Sequence, residues 1–323
     1  MNRLLFVVLA WTLSANAFGT SASPDPTKLR VLSANALVLD ADEKRPIYAK
    51  AADDVTPIAS LTKLMTAMVV LDGGQSIDEL IAIDEHDFDF LKGSRSRLRM
   101  GTVLPRREML RLALMSSENR AASALARHYP GGTPSFVAAM NAKAHALSMM
   151  HTHFSDPTGL SAQNVSTAND LAILVQAASS YPLIRDFSTT PEHYVELQPT
   201  GQLLGFNNSN ALVKSSTWDI QLQKTGYIRE AGRCLVMLAT IAAKPFVIVL
   251  LDSNGKYTRL GDAQRVKYWI ETGETLAIRT SAPAHASSGK RNGTKPIYKG
   301  TFPPRIAHYV ESIKRAKYSQ TAR

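Results

Sequence analysis

The chain has 323 residues, a formal net charge of +10, 45% hydrophobic residues and a single cysteine, Cys234. One cysteine excludes an internal disulfide, so stability must come from a core, which the length permits. The positive charge points to anionic surroundings, but it is concentrated at the end, where Lys290, Arg291, Lys295, Lys299, Arg305, Lys314, Arg315, Lys317 and Arg323 face one acid, Glu311.

At the start, Arg3, the apolar run Leu4 to Leu13 and Ala15-Asn16-Ala17 have the layout of a secretory signal peptide, with cleavage expected after Ala17. That run is too short to span a bilayer comfortably, and no later segment is long and apolar enough. A Ser/Pro-rich lead-in occupies 18–28. Leu29 to Asp40 and Ile47 to Ala51 then read as strands joined by the polar turn Asp42 to Pro46. After Ser60, the residues Leu61, Leu64, Met65, Met68 and Val69 recur at helical spacing, so a helix that lays an apolar face on the core is expected to open at Ser60. Arg95, Arg97 and Arg99 alternate in a strand-like run, either a solvated face or a basic rim.

Arg106 to Ala126 is again helical, interrupted at Ser116 to Asn119 by residue types that favour caps and turns. Phe136 to Leu147 and Ala168 to Ala178 follow as helices, with the loop Asp156 to Leu160 between them. The period then changes. Ile220 to Thr225, Cys234 to Ala242 and Phe246 to Asp252 are β-rich runs separated by short turns, an antiparallel meander, and Ala263 to Thr272 closes as a helix. Cys234 lies inside one of these apolar runs and reads as a packed small hydrophobe. Two strands, a block of helices, three strands and a helix predict one α/β domain over 29–276. It is an antiparallel five-stranded sheet flanked by helices, with a helical subdomain inserted between its second and third strands. Residues 277–323 read as a linker and a basic tail with a short helix around Ile306, Val310 and Ile313.

Three strings in this frame carry chemistry: Ser60-Leu61-Thr62-Lys63, Ser117-Glu118-Asn119 and Lys224-Thr225-Gly226. Ser-x-x-Lys also occurs at Ser253 and Ser287, and Ser-x-Asn at Ser14 and Ser33, but in polar stretches, the leader or a strand. A serine hydroxyl attacks only when something takes its proton, and a lysine one helical turn later can reach it. Such a lysine must be neutral, which burial and a nearby cation, here Lys224, would favour. The start of the Ser60 helix offers N–H groups to a developing oxyanion. Ser117 and Asn119 share a face of an extended turn, with Glu118 expected to point away. Lys224 and Thr225 on an edge strand suit a substrate carboxylate, and Gly226 admits a substrate backbone.

These strings resemble those of the penicillin-binding proteins and serine β-lactamases. The segments Ala59 to Asp72, Leu112 to Ala122, Pro157 to Ala168 and Gln221 to Gly226 are similar to those of D-alanyl-D-alanine endopeptidases of the penicillin-binding protein 7 type, a likeness running from about Leu32 to Gly273. The resemblance implies a β-lactamase/transpeptidase-like fold. It also implies a periplasmic bacterial enzyme that cuts D-alanyl-D-amino acid cross-links in peptidoglycan through an acyl-enzyme and is acylated by β-lactam antibiotics. Carried over, it makes Ser60 the nucleophile, Lys63 the base, Ser117 the proton relay, Asn119 a partner of the substrate amide, and Lys224 with Thr225 the carboxylate grip. Tyr227, after Gly226, supplies a second oxyanion N–H. Some relatives have Asp where this chain has Glu118, a change expected to be silent. The related carboxypeptidases carry a further β-domain, for which the residues after Gly273 are too few and too polar.

The rival readings are weaker. D-alanyl-D-alanine carboxypeptidase activity uses the same site and stays open. A class A β-lactamase needs a Glu-x-x-Leu-Asn element that is absent, although Glu192 and Glu196 fall where such a loop might lie. A non-catalytic wall-binding protein would have lost a core residue, and none is lost. His151, His153 and Asp156 lie in a polar loop without metal-ligand spacing, so neither a metal nor another cofactor is expected. The tail is a candidate for peripheral contact with a membrane surface or the cell wall, a solvated end being the plainer reading; export leaves nucleic acid out.

Overall fold

The computed structural model describes residues 24–278. The expected leader at 1–17 and the tail helix around Ile306 lie outside the described residues. Five strands form one sheet: β1 (Asn35–Asp40), β2 (Arg45–Lys50), β3 (Asp219–Ile228), β4 (Gly232–Ile241) and β5 (Lys244–Ser253). Their order is β2-β1-β5-β4-β3, every neighbouring pair is antiparallel, and β3 is an edge. Between β2 and β3 the chain forms α1 (Lys63–Asp72), α2 (Arg106–Met115), α3 (Asn119–Arg127), α4 (Gly132–Ala146), α5 (Ala168–Ser179) and α6 (Pro182–Thr189). α7 (Thr258–Thr272) closes the domain. This is the expected architecture, a helical insertion between the second and third strands.

Strand periodicity explains the two cores. Along β1, Ala36 and Val38 join Leu235, Met237, Ile248 and Leu250 under Ala263, Val266 and Trp269 of α7. Leu37 and Leu39 point the other way and pack with Val236, Val247 and Val249 against the insertion. All six β1 residues are buried because both faces are covered. Each fully buried Leu or Ile here contributes roughly 1.5–3 kcal/mol relative to leaving it in water. Cys234 is buried in the same meander, and burial pushes its thiol up to about 12, which keeps it an inert packing residue.

Several boundaries differ from expectation for identifiable reasons. The first strand begins at Asn35 and not at Leu29, because the N–H groups of Leu32 and Ser33 donate to the Asp262 carboxylate of α7 (2.9 and 2.7 Å) and not to a ladder. α1, expected as a buried helix, is buried on every side from Lys63 to Val70, since it runs through the middle of the insertion among α2, α3, α4 and α5. Arg95 to Arg99 form no strand; the Arg97 guanidinium instead stacks 4.0 Å from the centroid of the Phe206 ring. α6 and the hairpin Glu192–Leu197 with Gln202–Asn207 were not anticipated. Buried Val195, Leu197 and Phe206 among exposed neighbours are the alternation that marks that hairpin.

Candidate active site

Ser60 lies in a 3-10 turn, Ala59–Thr62, that runs straight into α1, so the serine precedes the helix proper and Lys63 is its first residue. Residues three apart eclipse in such a turn, and Lys63 Nζ stands 2.9 Å from Ser60 Oγ. Two glycines let other segments close on this backbone. A Cβ at Gly159, whose φ is +81°, would lie 2.0 Å from the Ala59 carbonyl oxygen and 2.8 Å from Ser60 N. A Cβ at Gly226 of β3 would lie 3.0 Å from the Ile58 oxygen and 3.1 Å from Ser60 N. Gly226 therefore does more than admit substrate: it sets β3 against the nucleophile's turn.

Lys63 is buried and donates to two carbonyl oxygens, Asn119 Oδ1 at 2.7 Å and Thr158 O at 2.6 Å. A neutral amine has two N–H groups and one lone pair. With both N–H groups directed at acceptors that can only accept, the lone pair is left facing Ser60 Oγ. Burial pushes the Lys63 amine down to about 7, against the opposing pull of Asp156, Glu118 and Asp89. Lys224 is likewise held well below the ordinary lysine range, by burial first and then by Lys63 and Arg259, so the two buried lysines disfavour each other's charge.

The Thr158 carbonyl is aimed by its own loop. Asp156 Oδ1 accepts from the N–H groups of Thr158 (2.6 Å) and Gly159 (2.8 Å), and Oδ2 from Ser161 N at 3.0 Å. Thr66 Oγ1 of α1 donates to the Pro157 oxygen at 2.6 Å, fastening the loop beside the lysine. Asp156 is thus spent on loop geometry, while His153 sits in a backbone bridge with Val165. Among the described residues, no three His, Cys, Asp or Glu side chains converge as metal ligands.

Ser117 occupies the break between α2 and α3 with φ +62°, a conformation uncommon for a residue with a Cβ. Its Oγ accepts from Lys224 Nζ at 2.9 Å. Asn119 opens α3, and its Nδ2 donates to Ser94 Oγ at 2.9 Å, which fixes the amide with Oδ1 toward Lys63. Glu118 does not line the cleft, as expected, yet it is not idle. It is buried and accepts from Ser96 Oγ (2.9 Å) and Arg97 N (3.1 Å), anchoring the segment that carries Ser94.

Lys224 is fully buried on β3 and also donates to the Thr225 carbonyl oxygen at 2.9 Å. Thr225 Oγ1 donates to Ser209 Oγ at 2.7 Å, and Arg259 Nη1 of α7 donates to the Gly226 carbonyl oxygen at 2.9 Å. Ser60, Ser117, Asn119, Thr225, Gly226 and Tyr227 line one cleft of about 640 Å³, with Lys63 and Lys224 buried at its base. The sequence reading missed Ser94, Ser209 and Arg259, which share this cleft. Glu192 and Glu196 lie on the hairpin, where Glu192 pairs with Lys214 at 3.2 Å, and neither lines the cleft.

A serine paired with a buried lysine, between an antiparallel sheet and a helical insertion, has the layout of a serine acyl-transfer enzyme of the penicillin-binding kind. Residues 20–255 match the family model described as D-alanyl-D-alanine carboxypeptidase, and the chain belongs to that family. It is 49% identical over 289 residues, 88% of this chain and 93% of the relative, to a D-alanyl-D-alanine endopeptidase of Pseudomonas aeruginosa. Among solved structures it is similar to the Streptomyces K15 DD-transpeptidase, with a TM-score of 0.70 and 28% identity over 75% of this chain and 98% of that one. Penicillin-binding protein D2 from Listeria monocytogenes, in its cefotaxime-bound form, aligns at a TM-score of 0.65 and 28% identity over 74% of this chain and 96% of that one.

Proposed function

We propose that this chain is a peptidoglycan hydrolase that cuts cross-links between D-alanine and meso-diaminopimelate through a serine acyl-enzyme. The observation that carries the reading is the environment of Lys63, whose two N–H groups are engaged by Asn119 and Thr158 and whose third direction meets Ser60 Oγ. An amine with a pKa of about 7 is matched to proton transfer near neutral pH. Ser60 Oγ attacks the D-alanine carbonyl carbon while its proton passes to Lys63 Nζ. The N–H groups of Ser60 and Tyr227 stabilise the oxyanion. The leaving amine takes a proton through Ser117, whose hydroxyl is held by Lys224, and water then releases the acyl group from Ser60. Lys224 and Thr225 hold the carboxylate beside the scissile bond, and Asn119 the substrate amide.

A β-lactam ring presents a carbonyl and a carboxylate at similar separation, so penicillins acylate Ser60 by the same steps. Removal of a terminal D-alanine also uses each of them, and the description of the family model favours that second reading. Work at the cell wall requires export, and we assign that task to the leader 1–17, with the periplasm as destination. The basic tail, 277–323, is assigned to contact with the wall or a membrane surface. Among the described residues, no helix is long and apolar enough to cross a membrane.

The test is incubation of the purified protein with defined cross-linked dimers and monomeric pentapeptide muropeptides, with products resolved by mass. Dimers falling to monomers in the wild type but not in Ser60→Ala is the expected result. Loss of the terminal alanine alone would replace the endopeptidase reading with the carboxypeptidase one.

A further inference from the structure

We infer that Arg97 selects cross-links over free stem ends by holding a carboxylate of the leaving stem where that stem exits the cleft. The inference rests on the cross-link reading above and concerns the side of the scissile bond opposite the acyl group. Along β3 the leaving-side carboxylate is gripped at Lys224 and Thr225, whereas the oxyanion N–H comes further on, at Tyr227. The leaving stem therefore heads toward the lower-numbered end of β3. There the strand edge is covered: Gln223 N donates to Ser188 Oγ at 3.4 Å, and Gln223 Nε2 donates to Ser188 O at 2.6 Å and Asn208 Oδ1 at 2.9 Å. A chain leaving the site cannot continue along that edge, and it must rise out of the cleft between Ser117 and Ser209, which bond Lys224 and Thr225.

Arg97 spans that exit. Its backbone N–H donates to the carboxylate of Glu118, between Ser117 and Asn119, at 3.1 Å, and its Nη1 donates to the Gly205 carbonyl oxygen of the hairpin that leads into Ser209. The hairpin side is fixed as well, since Ser209 N donates to Met115 O at 2.7 Å, at the end of α2. The guanidinium lies over the Phe206 ring, 4.0 Å from its centroid. Among the described residues, its Nε and Nη2 have no acceptor and Arg97 forms no ion pair, while Glu192 of the hairpin is taken up by Lys214 at 3.2 Å. A guanidinium already held by a ring and a carbonyl gives up little freedom on meeting a carboxylate, and its open N–H groups suit one.

The two reactions open to this site differ in what passes the exit. In a cross-link the leaving amine belongs to diaminopimelate, whose far end is built into a second stem that bears the free carboxylate of a γ-linked glutamate. A terminal D-alanine has one carboxylate, already held at Lys224 and Thr225, and nothing that extends to Arg97; a penicillin likewise carries no second stem. The second stem is still attached in the transition state, so a contact with it raises kcat/KM for cross-links and leaves the shorter substrates without that gain.

The full chain and its Arg97→Gln variant are compared on a cross-linked dimer and on the same dimer with the leaving stem's carboxylates amidated, except the one beside the scissile bond; the rate of labelling by a fluorescent penicillin is the reference. In Arg97→Gln, kcat/KM for the dimer is expected to fall about tenfold relative to penicillin labelling. Amidation should cost the wild type about the same factor and the variant less than twofold. If Arg97 were only a strut between loop and hairpin, labelling and dimer cleavage would fall together and amidation would cost both proteins equally. Either of those results, or no cost of amidation in the wild type, would overturn the inference. Should Arg97→Gln melt early, Arg97→Lys, which keeps the charge and loses the fork, carries the cycle with about a threefold coupling expected. Dimers left intact by the wild-type chain would bring down the cross-link reading itself, whereas dimers cut without dependence on Arg97 would bring down this inference alone.

Discussion

The floor and the rim of the cleft use the same side chain in opposite ways. On the floor, Lys63 and Lys224 are buried among neutral oxygens, with no carboxylate within ion-pair distance of either among the described residues, and both are pushed below the ordinary lysine range. At the rim, Lys92 reaches Glu230 at 2.6 Å in a half-exposed ion pair. Burial without a counter-charge favours the neutral amine that lets Lys63 act as a base, whereas exposure with a counter-charge leaves Lys92 a tether. The contrast shows that the catalytic assignment depends on what surrounds each ammonium more than on its place in a motif.

The largest effect should come from the floor. Ser60→Ala is expected to reduce covalent labelling by a fluorescent penicillin by at least about 10³-fold, and Lys63→Ala by a similar factor, because groups acting as one unit fail together. Circular dichroism should show both variants folded. Near-normal labelling of Lys63→Ala at neutral pH would move the base role elsewhere and remove half of the contrast.

The same lysine should write its pKa into two pH profiles. The wild-type acylation rate should rise through pH about 7 and then level off, since only the neutral amine can take the Ser60 proton. Stability carries a related signature. The folded pKa of about 7 lies below the ordinary 10.5, so between these values the unfolded chain binds more protons and stability rises with pH. Lys63→Ala should lose that part of the slope, measured by urea denaturation at pH 7 and pH 9. An unchanged slope would mean that the buried amine stays protonated in the folded protein.

How far the floor could be read in advance follows from the kind of contact involved. Ser60 and Lys63 are legible because a local turn places them together, and the edge position of Lys224 follows from the meander. Thr158 is not legible: its contribution is a backbone carbonyl 95 residues from Lys63, aimed by an Asp156 turn that looks like any polar loop. Ser94 and Ser209 act through long-range hydroxyl contacts that leave no periodicity. Glu118 was read correctly as pointing away, but its hold on Ser96 and Arg97 depends on a segment mistaken for a strand. Local pattern predicted the elements; the polar contacts between them needed their packing.

An intermediate effect is expected where the floor meets β3. Gly226→Ala would place a methyl 3.0 Å from the Ile58 oxygen and 3.1 Å from Ser60 N, closer than a relaxed contact, so the nucleophile's turn must shift. Acylation should fall by about 10- to 100-fold with the fold retained, because small misplacement of reacting groups is costly. Glu118→Gln should act more weakly, since the amide oxygen can still accept from Ser96 and Arg97 while the charge is lost. A fall in labelling rate of under about tenfold is expected, with about 1 kcal/mol lost in denaturant titration.

The smallest effect should come from the rim, and it is the one that could dissolve the contrast. Lys92 and Glu230 are 138 residues apart and join a loop of the helical insertion to the β3–β4 turn across the cleft mouth. Position alone would make them a latch. Their side chains are 32% and 40% exposed, however, so water competes for both charges and salt screens the attraction. Lys92→Ala should therefore leave the melting temperature within experimental error and the penicillin labelling rate within about twofold at physiological salt. If labelling instead falls as far as in Gly226→Ala, and adding salt to the wild type reproduces the fall, the ion pair closes the cleft over the acylating group. Rim and floor would then be one machine, and exposure would no longer separate a tether from a catalytic lysine.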